Sequence, residues 1–298
     1  MGFFKTLFGG KEPTEEERRE NKQQYDFEVL TYDGTQALHA GKTDYAIVCL
    51  EHALDIREDR ETRQRLASAY IQADKLEDAA TQYSLLASQY ADDPSYPIAQ
   101  AELLYQLEQY TDMETACNAA IDIDPKLAMP HFLLAKRWAA EQAHETAVAE
   151  CDKALENKDD YEEARLLRAQ ENTLLQQYDQ AQQDIDRLIA DGCDTDEVLM
   201  QQAVIHTLQG QFDTAAETYR QVIAQNPFMP EAYIALHALL KKTGHDDEAA
   251  QVLEEAKEQL GTDPRQAAAQ TKDGFTSVED YMRNAYNALN PYQLNVNL

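Results

Sequence analysis

The sequence of 298 residues is short of basic side chains: 26 lysines and arginines stand against 55 aspartates and glutamates, and the formal net charge is −29. Nucleic acid phosphates and anionic lipid headgroups repel a chain of this charge. The composition therefore argues against binding to nucleic acid and against bulk electrostatic attachment to a membrane. It favours basic partners, although an acidic exterior is also ordinary for a well-solvated helical protein.

The sequence also lacks the local signatures of common catalytic and cofactor sites. It contains no GxGxxG, GxxxxGK[ST], GxSxG or HExxH motif, and its seven histidines do not have the spacing of metal ligands. Carboxylates are so abundant that pairs of them carry no information about catalysis. Because nothing positions a nucleophile or a metal, we predict a protein that is not an enzyme and binds no cofactor and no metal.

Cysteines are few and are not arranged in CxxC pairs. They lie far apart along the chain, at Cys49, Cys117, Cys151 and Cys193. This distribution favours reduced, buried thiols in a cytosolic core over a metal or redox site.

Long apolar runs are missing as well. The apolar cluster in residues 1–10, MGFFKTLFGG, is too short for a signal peptide and its cleavage site or for a bilayer span, so we expect a cytoplasmic protein. Gly2 to Thr6 matches the permissive N-myristoylation pattern, and Phe3, Phe4, Leu7 and Phe8 could enter a membrane interface. A terminus that docks on its own chain or on a partner explains the same residues.

The sequence does contain a regular internal repeat. One position, mostly alanine, recurs at steps of 33 or 34 residues, at Ala46, Ala79, Met113, Ala147, Ala181, Ala215 and Ala249. Twelve residues earlier a second small side chain recurs from Gly34 to Ala203, until His237 breaks the series. Corner residues lie between the two series at Gly41, Asp74, Gln176, Gly210 and Gly244. Each unit is therefore predicted to be two helices that cross closely at their small side chains.

Further residues of the units follow a known pattern. They are Leu66, Ala67, Tyr70, Ala79 and Tyr83 in the second unit, Tyr110, Ala120 and Pro125 in the third, Leu134, Ala135, Ala147 and Ala154 in the fourth, and Ala203, Gly210, Phe212, Ala215, Tyr219 and Pro227 in the sixth. With the step of 34 residues, this arrangement resembles the tetratricopeptide repeat. The resemblance covers about residues 27–261 and implies an all-α, right-handed superhelical solenoid of about seven antiparallel hairpins. The departures are Met113 and His237 at small-residue positions, and the polar Arg165 and Arg168.

The repeat boundaries divide the chain into three parts. Residues 1–24 hold the apolar cluster and a charged segment with a capping box at Thr14 and Glu17, and residues 25–261 hold seven repeats. Residues 262–298 hold a capping helix and a tail. The helix is expected at residues 276–290, where it would cover the apolar face that the last hairpin leaves open.

The resemblance implies a concave groove, lined by the first helices, that holds a partner peptide or helix. Three residues before the small residue of the first helix, five successive units carry apolar side chains, at Ile98, Phe132, Leu166, Met200 and Ile234. Four residues further on, the same face carries Glu102, Lys136, Gln170 and Val204. These nine residues are the predicted partner-binding groove. The competing interpretation is that the stripe packs inside the solenoid.

Family members that capture a free C-terminal carboxylate use a ring of basic side chains, and among the matching positions here only Lys136 is basic. A hydrophobic or amphipathic partner segment with basic flanks is therefore expected instead. The sequence thus predicts a non-enzymatic scaffold that binds a protein or peptide partner. The alternative is a self-associating or membrane-peripheral assembly factor that uses the amino-terminal apolar segment. The oligomeric state stays open.

Overall fold

The computed structural model of the chain describes residues 14–266, and its regular secondary structure over this range is α-helical. The chain divides at Lys126 and Leu127 into two compact units, unit 1 and unit 2. Unit 1 contains α1 (Glu15–His39), α2 (Thr43–Ile56), α3 (Arg60–Gln72), α4 (Leu76–Gln89), α5 (Ser95–Gln106) and α6 (Tyr110–Ile123). Unit 2 contains α7 (Ala128–Ala140), α8 (His144–Asn157), α9 (Glu162–Leu174), α10 (Tyr178–Ala190), α11 (Asp196–Leu208), α12 (Phe212–Gln225), α13 (Pro230–Lys242) and α14 (Asp246–Leu260).

Within each unit, every odd-numbered helix packs against the even-numbered helix that follows it, and each hairpin packs against the next. We call the two members of a hairpin its first and second helix. The prediction of an all-α solenoid of helical hairpins is confirmed.

The small residues lie where the two helices of a hairpin cross. The series on the second helices is fully buried, with 0% exposure at Ala46, Ala79, Met113, Ala147, Ala181, Ala215 and Ala249. In the first hairpin, a Cβ atom added to Gly34 would lie 2.8 Å from Leu50 Cγ and 3.2 Å from Cys49 Cβ. These distances are too short for a side chain, so α1 and α2 depend on glycine at this position.

His237 occupies the small-residue position of α13 without breaking the hairpin. Its Nδ1 lies 2.9 Å from the carbonyl oxygen of Ala249 on α14, within hydrogen-bonding distance. The larger ring is accommodated because its polar atom has a partner on the opposing helix.

We expect Ala215→Leu to lower the free energy of unfolding by ~1–3 kcal/mol, because three added carbon atoms cannot enter this crossing without moving a helix. Urea unfolding followed by circular dichroism measures the change. Ala224→Leu, at an exposed position on the same helix, is the control and should change stability little. An unchanged midpoint for Ala215→Leu would contradict the assigned crossing.

The corner between the two helices of every hairpin has a left-handed residue. Positive φ values of 56–60° occur at four residues other than glycine, and values of 70–80° at three glycines; the seven corners are Gly41, Asp74, Glu108, Gln142, Gln176, Gly210 and Gly244. Glu108 and Gln142 were not recognised as corners from residue type, yet both fall on the 34-residue step. Because the left-handed region is unfavourable for residues with a Cβ, the repeat geometry, not local preference, imposes these corners.

We expect Gly210→Ala to destabilise the protein by about 1 kcal/mol. This loss of stability would come from the backbone conformation alone, because a Cβ at Gly210 would meet no atom within 4 Å. Gln176→Gly, at a corner with φ of 60°, should act in the opposite direction and stabilise by ~0.5 kcal/mol. Urea midpoints for the pair provide the measurement, and shifts of the same sign would refute the explanation.

Helix α1 is about twice as long as the other first helices. It begins with the predicted capping box, in which the Thr14 hydroxyl accepts from Glu17 N at 3.2 Å and the Glu17 carboxylate accepts from Thr14 N at 2.7 Å. It then continues without interruption through residues 24 and 25, where the sequence suggested a boundary. None of the helices between residues 14 and 266 combines the length and apolar character needed to cross a bilayer. The apolar cluster at residues 1–8 and the predicted capping helix at 276–290 lie outside the described residues.

Candidate protein-binding surface

In unit 2, Phe132 of α7 is half-buried and lies beside the start of α9. Its ring centroid lies 5.0 Å from that of Tyr161 at an interplanar angle of 53°, and Lys136 Nζ lies 5.8 Å from the Phe132 centroid. The hydroxyl of Tyr161 approaches Met129 Sδ at 2.9 Å. One side of the Phe132 ring is thus fixed by packing, while Phe132 and Lys136 both keep part of their surface accessible.

The next first helices place Leu166, Gln170 and Ile234 in comparable, partly accessible positions. Leu166 packs against the buried cluster formed by α9, α10 and α11, which includes Ala169 and Ile185. We call the partly accessible side chains Phe132, Lys136, Leu166, Gln170 and Ile234 the first-helix surface of unit 2.

Met200 and Val204 were predicted to line the groove, but the structure places them in the core. Their exposures are 6% and 0%, and both belong to the core cluster that α11 shares with Tyr233 and Leu236 of α13. For these two residues the competing interpretation, packing inside the solenoid, describes the structure. The periodicity identified the register correctly, but large apolar neighbours on α13 cover these two side chains.

Unit 1 contributes the remaining two predicted residues, Ile98 and Glu102 on α5, and both are half-buried. The pKa of Tyr83 on α4 is raised, first by burial and then by the negative charge of Glu102. The Glu102 carboxylate therefore lies near the Tyr83 hydroxyl, at the contact of α4 with α5.

The sequence did not predict a cleft of about 320 Å³ in unit 1. It is lined by Phe27, Glu28, Thr31, Tyr32 and Thr35 of α1 and by Arg65 of α3. Thr31 and Thr35 occupy the same repeat positions as Ile98 and Glu102, so the 34-residue step contained the signal. Both side chains are polar, and an apolar pattern does not include them.

Two sequence models of the tetratricopeptide repeat match the chain, at residues 175–230 and 206–272. Among solved structures, a tetratricopeptide repeat protein from Parabacteroides merdae is 16% identical, covering 89% of this chain and 99% of its own, with a TM-score of 0.61. The chain is a tetratricopeptide repeat protein.

Two further structures resemble this tetratricopeptide repeat protein in fold. PilF of Pseudomonas aeruginosa is 18% identical, over 69% of this chain and 94% of its own, with a TM-score of 0.54. YrrB, described as a TPR protein with an unusual peptide-binding site, is 16% identical, over 64% and 97%, with a TM-score of 0.53. The comparison with curated proteins gave no match. The repeats and these similar structures support a role as a protein-interaction scaffold. The tetratricopeptide repeat fold is generally non-enzymatic.

An ion-pair network joins α8, α9 and α10 of this tetratricopeptide repeat protein. Arg168 of α9 donates from Nε and Nη2 to the two carboxylate oxygens of Asp184 on α10, at 2.8 and 2.5 Å, and from Nη1 to Asp152 on α8 at 2.6 Å. Arg165 Nη1 lies 3.5 Å from Asp184. Hydrogen bonding to Asp184 raises the pKa of Arg168. The two polar departures from the family pattern therefore hold in place the helix that carries Leu166 and Gln170.

Two histidine–glutamate contacts cross neighbouring helices in unit 2. His131 Nδ1 lies 2.8 Å from Glu150, and His144 Nδ1 lies 2.7 Å from Glu171. Burial opposes ionisation of Glu150, but hydrogen bonds from His131 and Lys153 outweigh it and lower its pKa. Burial dominates at Glu171, whose pKa is raised despite His144. The two carboxylates thus differ because Glu171 is more deeply buried and lacks the lysine that Glu150 contacts.

The thiols behave as part of the core in the described region. Cys49, Cys117 and Cys151 are buried thiols, and Cys193 is partly exposed. Burial raises the pKa of Cys151 far above its usual range, which suppresses the reactive thiolate. Residues 14–266 contain no cluster of three or more histidine, cysteine, aspartate or glutamate side chains arranged to hold a metal ion.

We expect Asp184→Ala to destabilise unit 2 by roughly 2–4 kcal/mol, because it removes a buried carboxylate and leaves Arg168 without its bidentate partner. Urea unfolding followed by the fluorescence of Trp138, the sole tryptophan of the chain, reports on this unit. Glu248→Ala is the matched control, because it breaks an exposed pair with Arg220 and should cost less than about 1 kcal/mol. Equal effects of the two substitutions would contradict the role given to the network.

Proposed function

We propose that the first-helix surface of unit 2 binds an apolar segment of a partner protein that carries basic flanking residues. The observation that supports this is the recurrence of a partly accessible apolar side chain at the same repeat position of α7, α9 and α13, namely Phe132, Leu166 and Ile234. Partly accessible apolar groups at one repeat position of several helices are typical of a surface that a partner completes.

The basic flanks follow from acidic residues one helical turn away. Glu163 on α9 and Glu231 on α13 stand three residues before Leu166 and Ile234, respectively. The pKa of Glu231 is raised by burial, so its negative charge is poorly solvated. A lysine or arginine of a partner would supply the opposite charge that this carboxylate lacks. In agreement with the expectation from the sequence, we further propose that the protein acts in the cytoplasm as a scaffold and not as an enzyme.

Selection from a displayed library of random peptides tests the proposed specificity. We expect enrichment of peptides in which apolar residues are flanked by lysine or arginine, and we expect their binding to weaken as the salt concentration rises. Enrichment of acidic peptides, or salt-independent binding, would contradict the proposed charge complementarity.

We expect Ile234→Glu to weaken binding of such a peptide at least tenfold, which corresponds to about 1.4 kcal/mol, while helicity and the melting temperature change little. The control Ala224→Glu adds the same charge at an exposed second-helix position and should leave affinity unchanged. Met200→Glu should instead unfold the middle of unit 2, because Met200 is 6% exposed. Full affinity in Ile234→Glu, measured by titration calorimetry, would place the binding surface elsewhere.

A further inference from the structure

Helix α1 has an exposed apolar face at the start of unit 1. Tyr25, Val29 and Tyr32 are spaced four and three residues apart, so they lie on one side of the helix. Tyr25 and Tyr32 are 66% and 65% exposed, and Val29 is half-buried. We call these three residues the outer face of α1.

At the repeat position of Val29, the other first helices are covered within each unit by the second helix that precedes them in the chain. Helix α2 packs on α3, α4 on α5, α8 on α9, α10 on α11, and α12 on α13. The residues equivalent to Val29 in these five helices are all 0–2% exposed: Thr62, Tyr96, Ala164, Val198 and Ala232. Of the residues equivalent to Tyr32, Gln201 and Ala235 are 3% and 6% exposed, and Arg65, Ala99 and Leu167 are half-buried. The exposure of Tyr32 therefore reflects its place in the first hairpin and not its repeat position.

The cleft of about 320 Å³ adjoins the outer face, and Tyr32 belongs to both. Inside it, the Thr35 hydroxyl donates to the Thr31 carbonyl at 2.7 Å. The Thr31 Oγ1 atom is buried and has no hydrogen-bond partner among residues 14–266. A buried hydroxyl of this kind is expected to find a partner, and a backbone group of a docked segment would supply one.

We propose that the outer face of α1 and this cleft bind residues 3–8 of the same chain. The element that covers this face elsewhere in each unit is the one immediately before it in sequence, and the residues immediately before α1 include Phe3, Phe4, Leu7 and Phe8. Covalent attachment places them beside the face at an effective concentration of about millimolar, which favours them over a second copy or another protein.

The length of the preceding chain suits this geometry. From Thr14, Tyr25 lies about 16 Å and Tyr32 about 27 Å along the helix, at 1.5 Å per residue. An extended chain covers about 3.3 Å per residue, so the six residues from Thr14 back to Phe8 span about 20 Å and the ten back to Phe4 about 33 Å. These lengths reach Tyr25 and Tyr32 when the chain reverses direction directly before Thr14.

Chemical cross-linking of the full-length protein tests the proposal. Lys5→Cys and Glu28→Cys are introduced together in a Cys193→Ser background, because the other native thiols are buried. Both new cysteines lie beside the proposed contacts and spare the apolar residues that make them. We expect a short bismaleimide to form an intramolecular cross-link, seen by intact mass as a monomer, at a rate independent of protein concentration.

The control pair, Lys5→Cys with Ser84→Cys, uses an exposed position on α4 and should cross-link at least tenfold more slowly. Adding Phe3→Ser, Phe4→Ser and Phe8→Ser to the test pair should lower its rate to that of the control. Equal rates for the two pairs would overturn the proposal. Covalent dimers whose yield rises with concentration would also overturn it, and would assign the face to a second copy of the chain.

Discussion

The structure depends on the close approach of the two helices in every hairpin, and in most hairpins small side chains face each other at the crossing. At Gly34 even a methyl group would collide with Leu50, and Ala46 and Ala215 are completely buried. The close crossing brings the flanking apolar residues of both helices to one side. That side can be covered only by a neighbouring hairpin, so the crossing and the stacking of hairpins depend on each other.

Most of the fold could be predicted because a repeat imposes the same geometric requirement at a fixed step. The positions of the crossings followed from spacing alone, even where Met113 replaces a small residue. Corners were harder, because Glu108 and Gln142 are not typical left-handed residues and only their place in the step identifies them. Where residue type and periodicity disagreed, periodicity was correct, since the tertiary contacts of the whole hairpin outweigh about 1 kcal/mol of local strain.

The exposure of individual side chains at the candidate surface could not be predicted in the same way. Met200 and Ile234 occupy the same repeat position, but Met200 is almost fully buried and Ile234 is half-buried. Periodicity determines the direction in which a side chain points, whereas burial depends on the size of side chains on the adjacent helix. Those neighbours, among them Tyr233 and Leu236 beside α11, differ from repeat to repeat.

The polar interior of α9 illustrates a related limit. Arg165 and Arg168 were recognised as departures from the family pattern, but their partners were not identified among 55 acidic residues. Asp152 and Asp184 stand sixteen residues before and after Arg168, so each lies on the helix next to α9 in the chain. In a repeat array, a buried charge can be paired only by its immediate neighbours, which reduces the search to two helices. The same restriction defines where such a protein can bind others: an apolar group that neither adjacent hairpin covers is available to a partner or to the chain's own terminus.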